Sequence, residues 1–185
     1  MVSHQLKSMF ATIYLPNLYL QAALRHQPLL CEKPVALIEE QERKPVVIQL
    51  NDIAEKAGIC PGMTPSQALA RSLQVVIKVR AREQEKSIQE ILLHHAFKLS
   101  PFVEATAPGI CTVQFTDQRH LKAKILRVIE QLTECKIRAQ AGIAATPDTS
   151  FLAAHLARPV LQVANGKEFL APLPIEVFAT VSPDF

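Results

Sequence analysis

A chain of 185 residues, 49% hydrophobic and with only 5 glycines, has the apolar content of a folded domain, which excludes disordered and collagen-like classes. At this length it buries roughly 70% of its unfolded surface, enough for one core with a small appended lobe. Lys and Arg exceed Asp and Glu by 20 to 17, a net charge of +3, and the pI near 8.7 permits nucleic-acid binding without the strong basicity of a dedicated DNA-binding domain.

Taken in chain order, residues 10–15 read as a short apolar strand bounded by Pro16, and residues 18–24 carry helical apolar spacing. Residues 34–39 and 45–50 are two β-rich runs joined by a charged turn, residues 40–44, and together predict a hairpin. Asp52 is positioned to cap a helix through Lys56 that Gly58 stops, and Thr64-Pro65 with Gln67 opens another helix through Leu73. Residues 75–79 form a dense β-branched strand. Residues 82–99 form a charged amphipathic helix with Ile88, Ile91, Leu92 and His95 along one stripe.

A second hairpin follows. Val103, Ala105 and Ala107 alternate with polar neighbours, Pro108-Gly109 supplies the dihedrals of a type II turn, and Cys111, Val113 and Phe115 alternate on the way back. Its turn offers no side-chain oxygen to a metal. Residues 117–133 predict a helix with Leu121, Ile125, Val128, Ile129 and Leu132 on one face, residues 136–144 a strand, and residues 147–157 a helix capped by Thr146. With 21–73 set aside as an insert, the order is strand, strand, helix, hairpin, helix, strand, helix. That order suits an α+β fold with a ferredoxin-like sheet and helices on one face.

Cys31, Cys60, Cys111 and Cys135 stand far apart with no C-x-x-C pair, so the expectation is buried free thiols in a reducing compartment. The apolar run after the first residues is too short, and too interrupted by Pro16, for a signal peptide or membrane span; the expected location is cytoplasmic. His94-His95 are adjacent on a helix and do not share a face, which argues against a metal pair.

Four segments, residues 13–19, 46–63, 103–116 and 142–159, together resemble the Y-family translesion DNA polymerases in order and spacing. That family opens its palm with Asp-x-Asp-x-Phe-Tyr, where this chain reads Tyr14-Leu15-Pro16-Asn17-Leu18-Tyr19. Its fingers carry Tyr-x-Ala-Arg-x-x-Gly, where Asp52 and Glu55 stand at the Tyr and Arg places and Gly58 closes the frame. Its palm hairpin carries Ser-x-Asp-Glu, where the frame here is Ala107-Pro108-Gly109-Ile110. Gly142-Ile143-Ala144 matches the family's Gly-Ile-Ala, and Arg158-Pro159 falls on its Lys-Pro.

The family's metal-binding acid positions are thus occupied by Tyr14, Pro16, Gly109 and Ile110, none of which coordinates Mg²⁺ as a carboxylate does. The pattern looks like the ImuB type, non-catalytic UmuC-like members of bacterial mutasome systems in the SOS response. The resemblance implies a scaffold rather than an enzyme, with no cofactor and no metal, that brings ImuA, the ImuC polymerase and the sliding clamp to damaged DNA. It implies a palm from residues 1–20 and 74–166, a fingers insert from 21–73 and the start of a truncated thumb at 167–185, with the clamp contact outside this chain.

Tyr19 matches the sugar-gating aromatic of the family, while its residue chemistry reads first as an amphipathic core residue with its hydroxyl at the edge. Arg158 retains charge at a triphosphate-contacting position, and reads equally as a helix-end cation. Lys78, Arg80, Arg82, Lys122, Lys124, Arg127, Lys136 and Arg138 are candidates for a stripe contacting DNA backbone, or for ordinary solubilising charge. Two other readings stand beside the scaffold: an active error-prone polymerase with repositioned acids such as Glu104 and Asp117, and a ferredoxin-like interaction module with no DNA role.

Overall fold

The structure is a computed structural model that describes residues 8–39 and 44–176. In chain order its strands and helices are β1 (Met9–Tyr14), α1 (Leu18–Leu24), β2 (Val35–Ile38), β3 (Val47–Leu50), α2 (Asp52–Lys56), α3 (Pro65–Arg71), β4 (Val76–Val79), α4 (Arg82–Phe97), β5 (Val103–Ala107), β6 (Ile110–Phe115), α5 (Leu121–Glu134), β7 (Gln140–Ala144), α6 (Pro147–Leu156), β8 (Val160–Gln162) and α7 (Gly166–Leu170). Residues 1–7, residues 40–43 of the charged turn and residues 177–185 of the expected thumb lie outside the described residues.

The chain divides into two compact units, one made of residues up to Pro16 and from Glu90 on, the other of Asn17–Gln89. In the first, β1 is the middle strand of a five-stranded sheet with order β5-β6-β1-β7-β8, antiparallel to both of its neighbours. One face carries a chain of hydroxyls. Thr106 Oγ1 lies 2.9 Å from Thr112 Oγ1, Thr112 lies 3.1 Å from Thr12, Thr12 lies 2.8 Å from Ser150 Oγ on α6, and Ser150 donates to the Pro147 carbonyl at 2.7 Å. Buried hydroxyls need partners, and this chain provides them. Gly142 sits directly across from Thr12, and a Cβ there would overlap the backbone of α6 at Ser150 and Ala154, so only a glycine lets the helix lie this close. The alternate residues Ala11, Ile13, Cys111, Val113, Ala141 and Ile143 are all fully buried on the other face.

The turn between β5 and β6 is as expected, with Gly109 at φ 74°. The buried face expected of β5 is not. Glu104, Ala105 and Thr106 are exposed and the pairing shifts register between Glu104 and Ala107; among the described residues β5 is the sheet's outermost strand and only β6 pairs with it. In α5 the expected stripe Leu121, Ile125, Val128, Ile129 and Leu132 is buried. β8, parallel to β7, has no counterpart in the sequence reading; three residues are too few to show a period.

The second unit holds a three-stranded sheet of order β3-β2-β4. Every residue of β2 is buried, because its alternate side chains feed two cores: Ala36 and Ile38 join Val47, Ala54, Ile59, Ala68 and Val75, whereas Val35 and Leu37 join Leu20, Ala23 and Leu24. β4, assigned by the sequence reading to the palm, pairs parallel with β2 and so belongs here. A β-branched run declares a strand but not its partner. The cap of α2 is Asn51 rather than Asp52: its side chain accepts from Ala54 N and Val35 N at 3.0 Å and donates to the Lys33 carbonyl at 2.7 Å. The Thr64–Gln67 capping box of α3 forms as expected. Burial of all four thiols is overturned, since Cys31 and Cys60 are exposed and only Cys111 is fully buried.

Candidate functional site

At the carboxyl end of β1, Tyr14 pairs across the sheet with Ile110 on one side and Gln140 on the other, and Leu15 N donates to the Gly109 carbonyl at 2.8 Å. Tyr14, Gly109 and Ile110 therefore meet at one end of the sheet, with Pro16 two residues further along the chain. The Tyr14 ring is stacked on His155 (centroids 4.1 Å apart, planes 25° apart), and His155 lies 4.7 Å from Phe151. Both aromatic residues come from α6, which the Gly142 contact holds against the sheet. His155 Nδ1 lies 2.9 Å from the Phe151 carbonyl.

Gln140 donates to the Ala154 and His155 carbonyls at 3.0 and 3.2 Å and ties β7 to the end of α6. Arg158 donates from Nη1 to the Ala157 carbonyl at 2.8 Å, with Gln140 Oε1 3.5 Å away, so its cation belongs to this end of the sheet. Burial raises the Tyr14 pKa and lowers that of His155, so both rings are neutral near pH 7. The site is a patch of stacked neutral rings with one guanidinium beside it, suited to stacking and to single anions. Among the described residues no three His, Cys, Asp or Glu side chains gather where they could hold a metal ion.

The alternative acids lie elsewhere. Glu104, on the exposed edge strand β5, pairs with Thr112 of β6, which pairs with Thr12, so it lies two strands outward of β1 and two residues below the Tyr14 level. Asp117 accepts from Arg119 Nε at 3.0 Å and lies 3.9 Å from Lys124, and these hydrogen bonds and cations hold its carboxyl down at about 2.

Tyr19, Asp52 and Glu55 belong to the second unit. The Arg80 guanidinium lies 3.7 Å over the Tyr19 ring. It is forked onto Glu85 at 2.9 and 2.6 Å and reaches Glu39 at 3.0 Å, and Arg82 also reaches Glu39 at 3.0 Å. No sequence signal links Arg80 to Tyr19, because pairing of β4 with β2 is what brings them together. Asp52 and Glu55 are exposed on α2. The expected basic stripe is divided: Lys78 donates to Gln27 and Arg80 and Arg82 are bound to acids in one unit, whereas Lys122, Lys124, Arg127, Lys136 and Arg138 are exposed in the other.

A model of the impB/mucB/samB family matches residues 13–155. The chain belongs to the impB/mucB/samB family. No curated protein sequence matches it. Among solved structures, this impB/mucB/samB domain is similar to DinB from Sulfolobus solfataricus, at 16% identity and a TM-score of 0.78 over 91% of this chain and 52% of that one. It is likewise similar to the insertion ternary complex of Dbh DNA polymerase (14%, TM-score 0.80, 91% and 53%) and to its post-insertion binary complex (14%, 0.78, 91% and 52%).

The impB/mucB/samB chain thus has the mixed α+β palm-and-fingers fold of Y-family DNA polymerases and spans about half the length of the structures it matches. The expectation that it is not an enzyme is overturned by these matches: the Dbh structures sharing its fold are DNA polymerases, and the residues read at four positions in half of such a chain do not set the activity of the whole. Among the described residues no helix is long and apolar enough to cross a membrane.

Proposed function

We propose that this chain is the palm-and-fingers part of a protein acting in translesion synthesis and DNA damage tolerance, where it serves as a scaffold holding primer–template DNA and partner proteins together. The observation that carries the reading is the end of β1, where Tyr14, Gly109 and Ile110 meet under the Tyr14–His155–Phe151 stack. In this reading Tyr14, Pro16, Gly109 and Ile110 stand at the family's acid positions, and Tyr19 and Arg158 are remnants of nucleotide binding. ImuA, an ImuC-type polymerase and the sliding clamp are the partners, the clamp through a segment other than this one. The palm then comprises β1, β5–β8 and the helices packed on them, and the fingers comprise β2–β4 with α1–α3. DNA contact is supported by the fold shared with Dbh in its insertion and post-insertion complexes.

The second reading is nucleotide addition by the intact protein, favoured by its likeness to polymerases; its carboxylates would then come from outside these four positions. Binding to a fluorescent primer–template across a salt series, with and without Mg²⁺ and dNTP, separates the two. Salt-sensitive binding indifferent to Mg²⁺ and dNTP supports the scaffold. Tightening by Mg²⁺ with the templated dNTP supports nucleotide addition, and no binding at low salt refutes the DNA-holding role.

A further inference from the structure

The approach to α5 and the helix's first half carry a set of cations that neither the β1 end nor the stability of the helix accounts for. Arg119, Lys122, Lys124 and Arg127 are all exposed, Arg119 with 84% of its side chain accessible. Asp117 is the sole acid between residues 117 and 127 and is already held by Arg119 and Lys124. Among the described residues Lys122 and Arg127 make no ion pair.

These charges run against the helix dipole. The amino end of α5 bears a partial positive charge, which favours acids in the first turn and bases in the last. α5 has no acid in its first turn and no base in its last, whereas its exposed acids, Glu130 and Glu134, sit in the second half. An arrangement chosen for helix stability would be the reverse, so the pattern points to a ligand that is itself a polyanion.

The patch is also remote from the end of β1. β6 begins at Ile110, opposite Tyr14, and ends at Phe115, opposite Met9; α5 follows from that far end. The strand alone places the start of the link to α5 about 17 Å from the Tyr14 end at roughly 3.4 Å per residue, and α5 then runs back toward Gln140, which pairs with Tyr14.

We propose that Arg119, Lys122, Lys124 and Arg127 form a second, sequence-independent binding surface for the phosphate backbone of duplex DNA, separate from the Tyr14 end of the sheet. This rests on the reading that the protein works at DNA, which favours a nucleic-acid backbone over an acidic protein segment. Lys122 to Arg127 span about 7.5 Å of helix at 1.5 Å per residue, a length over which a duplex presents several charges at one per about 1.7 Å. Lys124 and Arg127, three residues apart, share a side of α5, whereas Lys122 lies round the exposed face from Lys124; contacts from such side chains to phosphates fix position without reading bases.

The test uses the full chain and a fluorescent 30-base-pair blunt duplex across a salt series. The triple variant Lys122→Gln, Lys124→Gln, Arg127→Gln is compared with the charge-preserving Lys122→Arg, Lys124→Arg, Arg127→Lys. With each lost phosphate contact lowering the slope of log affinity against log salt by about 0.9, the neutral variant is expected to lose between 2 and 3 in slope, and the charge-preserving one to keep it.

Wild-type slope in the neutral variant overturns the inference while leaving DNA binding intact. Equal loss in both variants overturns it too, because fold and not charge would be responsible. No salt-sensitive binding by the wild type refutes the DNA-holding role itself, and binding to polyglutamate in preference to duplex reassigns the patch to an acidic protein.

Discussion

Replacing Gly142 by alanine tests how the sheet and α6 are joined. The new Cβ would overlap Ser150 O and Ala154 N and come within 2.7 Å of Ala153 C, whereas ordinary contact begins at 3.4 Å. All three atoms are backbone, so no side chain can swing away and α6 must move as a body. Such overpacking costs about 1–3 kcal/mol. The same movement pulls Ser150 from Thr12, whose hydroxyls lie 2.8 Å apart in a fully buried setting, and leaving a buried hydroxyl poorly paired adds about 1 kcal/mol or more. Together the expected loss is about 2–4 kcal/mol, or a fall in Tm of roughly 5–15 °C for a chain of this size. Urea and thermal denaturation of wild type and Gly142→Ala measure it directly. A loss below about 0.5 kcal/mol would refute the claim that backbone contact at Gly142 sets the position of α6, and with it the account of how Phe151 and His155 reach Tyr14.

Four further outcomes are expected. His155 is half-buried, and burial lowers its pKa below the ordinary 6.5, as it does for His95. The unfolded chain therefore takes up protons first as pH falls: the stability from neutral imidazole is complete above about 6.5 and declines below it. The gap between urea midpoints at pH 7.5 and 5.5 should narrow in His155→Phe, with the part due to His95 remaining, and an unchanged gap would sink the assignment. Burial pushes the Cys111 thiol up to about 12, whereas Cys31 and Cys60 are exposed, so a thiol reagent should label those two quickly in the folded chain and Cys111 only on unfolding. Prompt labelling of Cys111, read by peptide mapping, would contradict this.

Arg80→Met leaves Glu85, 10% exposed, without the guanidinium that forks onto it and should cost about 2–3 kcal/mol. Adding Glu85→Gln should recover part of it, and a single variant within 0.5 kcal/mol of wild type would refute the argument. Lys122→Gln with Lys124→Gln removes cations opposing the α5 dipole and should leave stability unchanged or raise it by up to about 1 kcal/mol; a clear fall in Tm would show that these lysines stabilise the helix.

Local chemistry was legible along the chain. The spacing of Leu121, Ile125, Val128, Ile129 and Leu132 defined the buried face of α5, Thr64 with Gln67 defined the start of α3, and Pro108-Gly109 defined the turn between β5 and β6. These signals work because periodicity, caps and backbone dihedrals are settled within a few residues. Sheet register and the Leu15–Gly109 hydrogen bond bring Tyr14, Gly109 and Ile110, which the resemblance singled out, to one end.

Partnership between distant segments was decided only in three dimensions. The β-branched run of β4 is as good a strand in either unit, and its pairing with β2 carries Arg80 onto Tyr19. The exposure of β5 follows from its place at the sheet edge, which its alternating sequence does not encode. Gly142 looked like a motif residue, and its physical reason, the backbone of α6 lying where a side chain would be, exists only once helix and sheet have met. Sequence by itself determined most of the elements, the buried face of α5 and the turn between β5 and β6. Tertiary structure decided which elements share a sheet and that a ring stack closes the end of β1, because these depend on contacts between residues far apart in the chain, to which local propensity is blind.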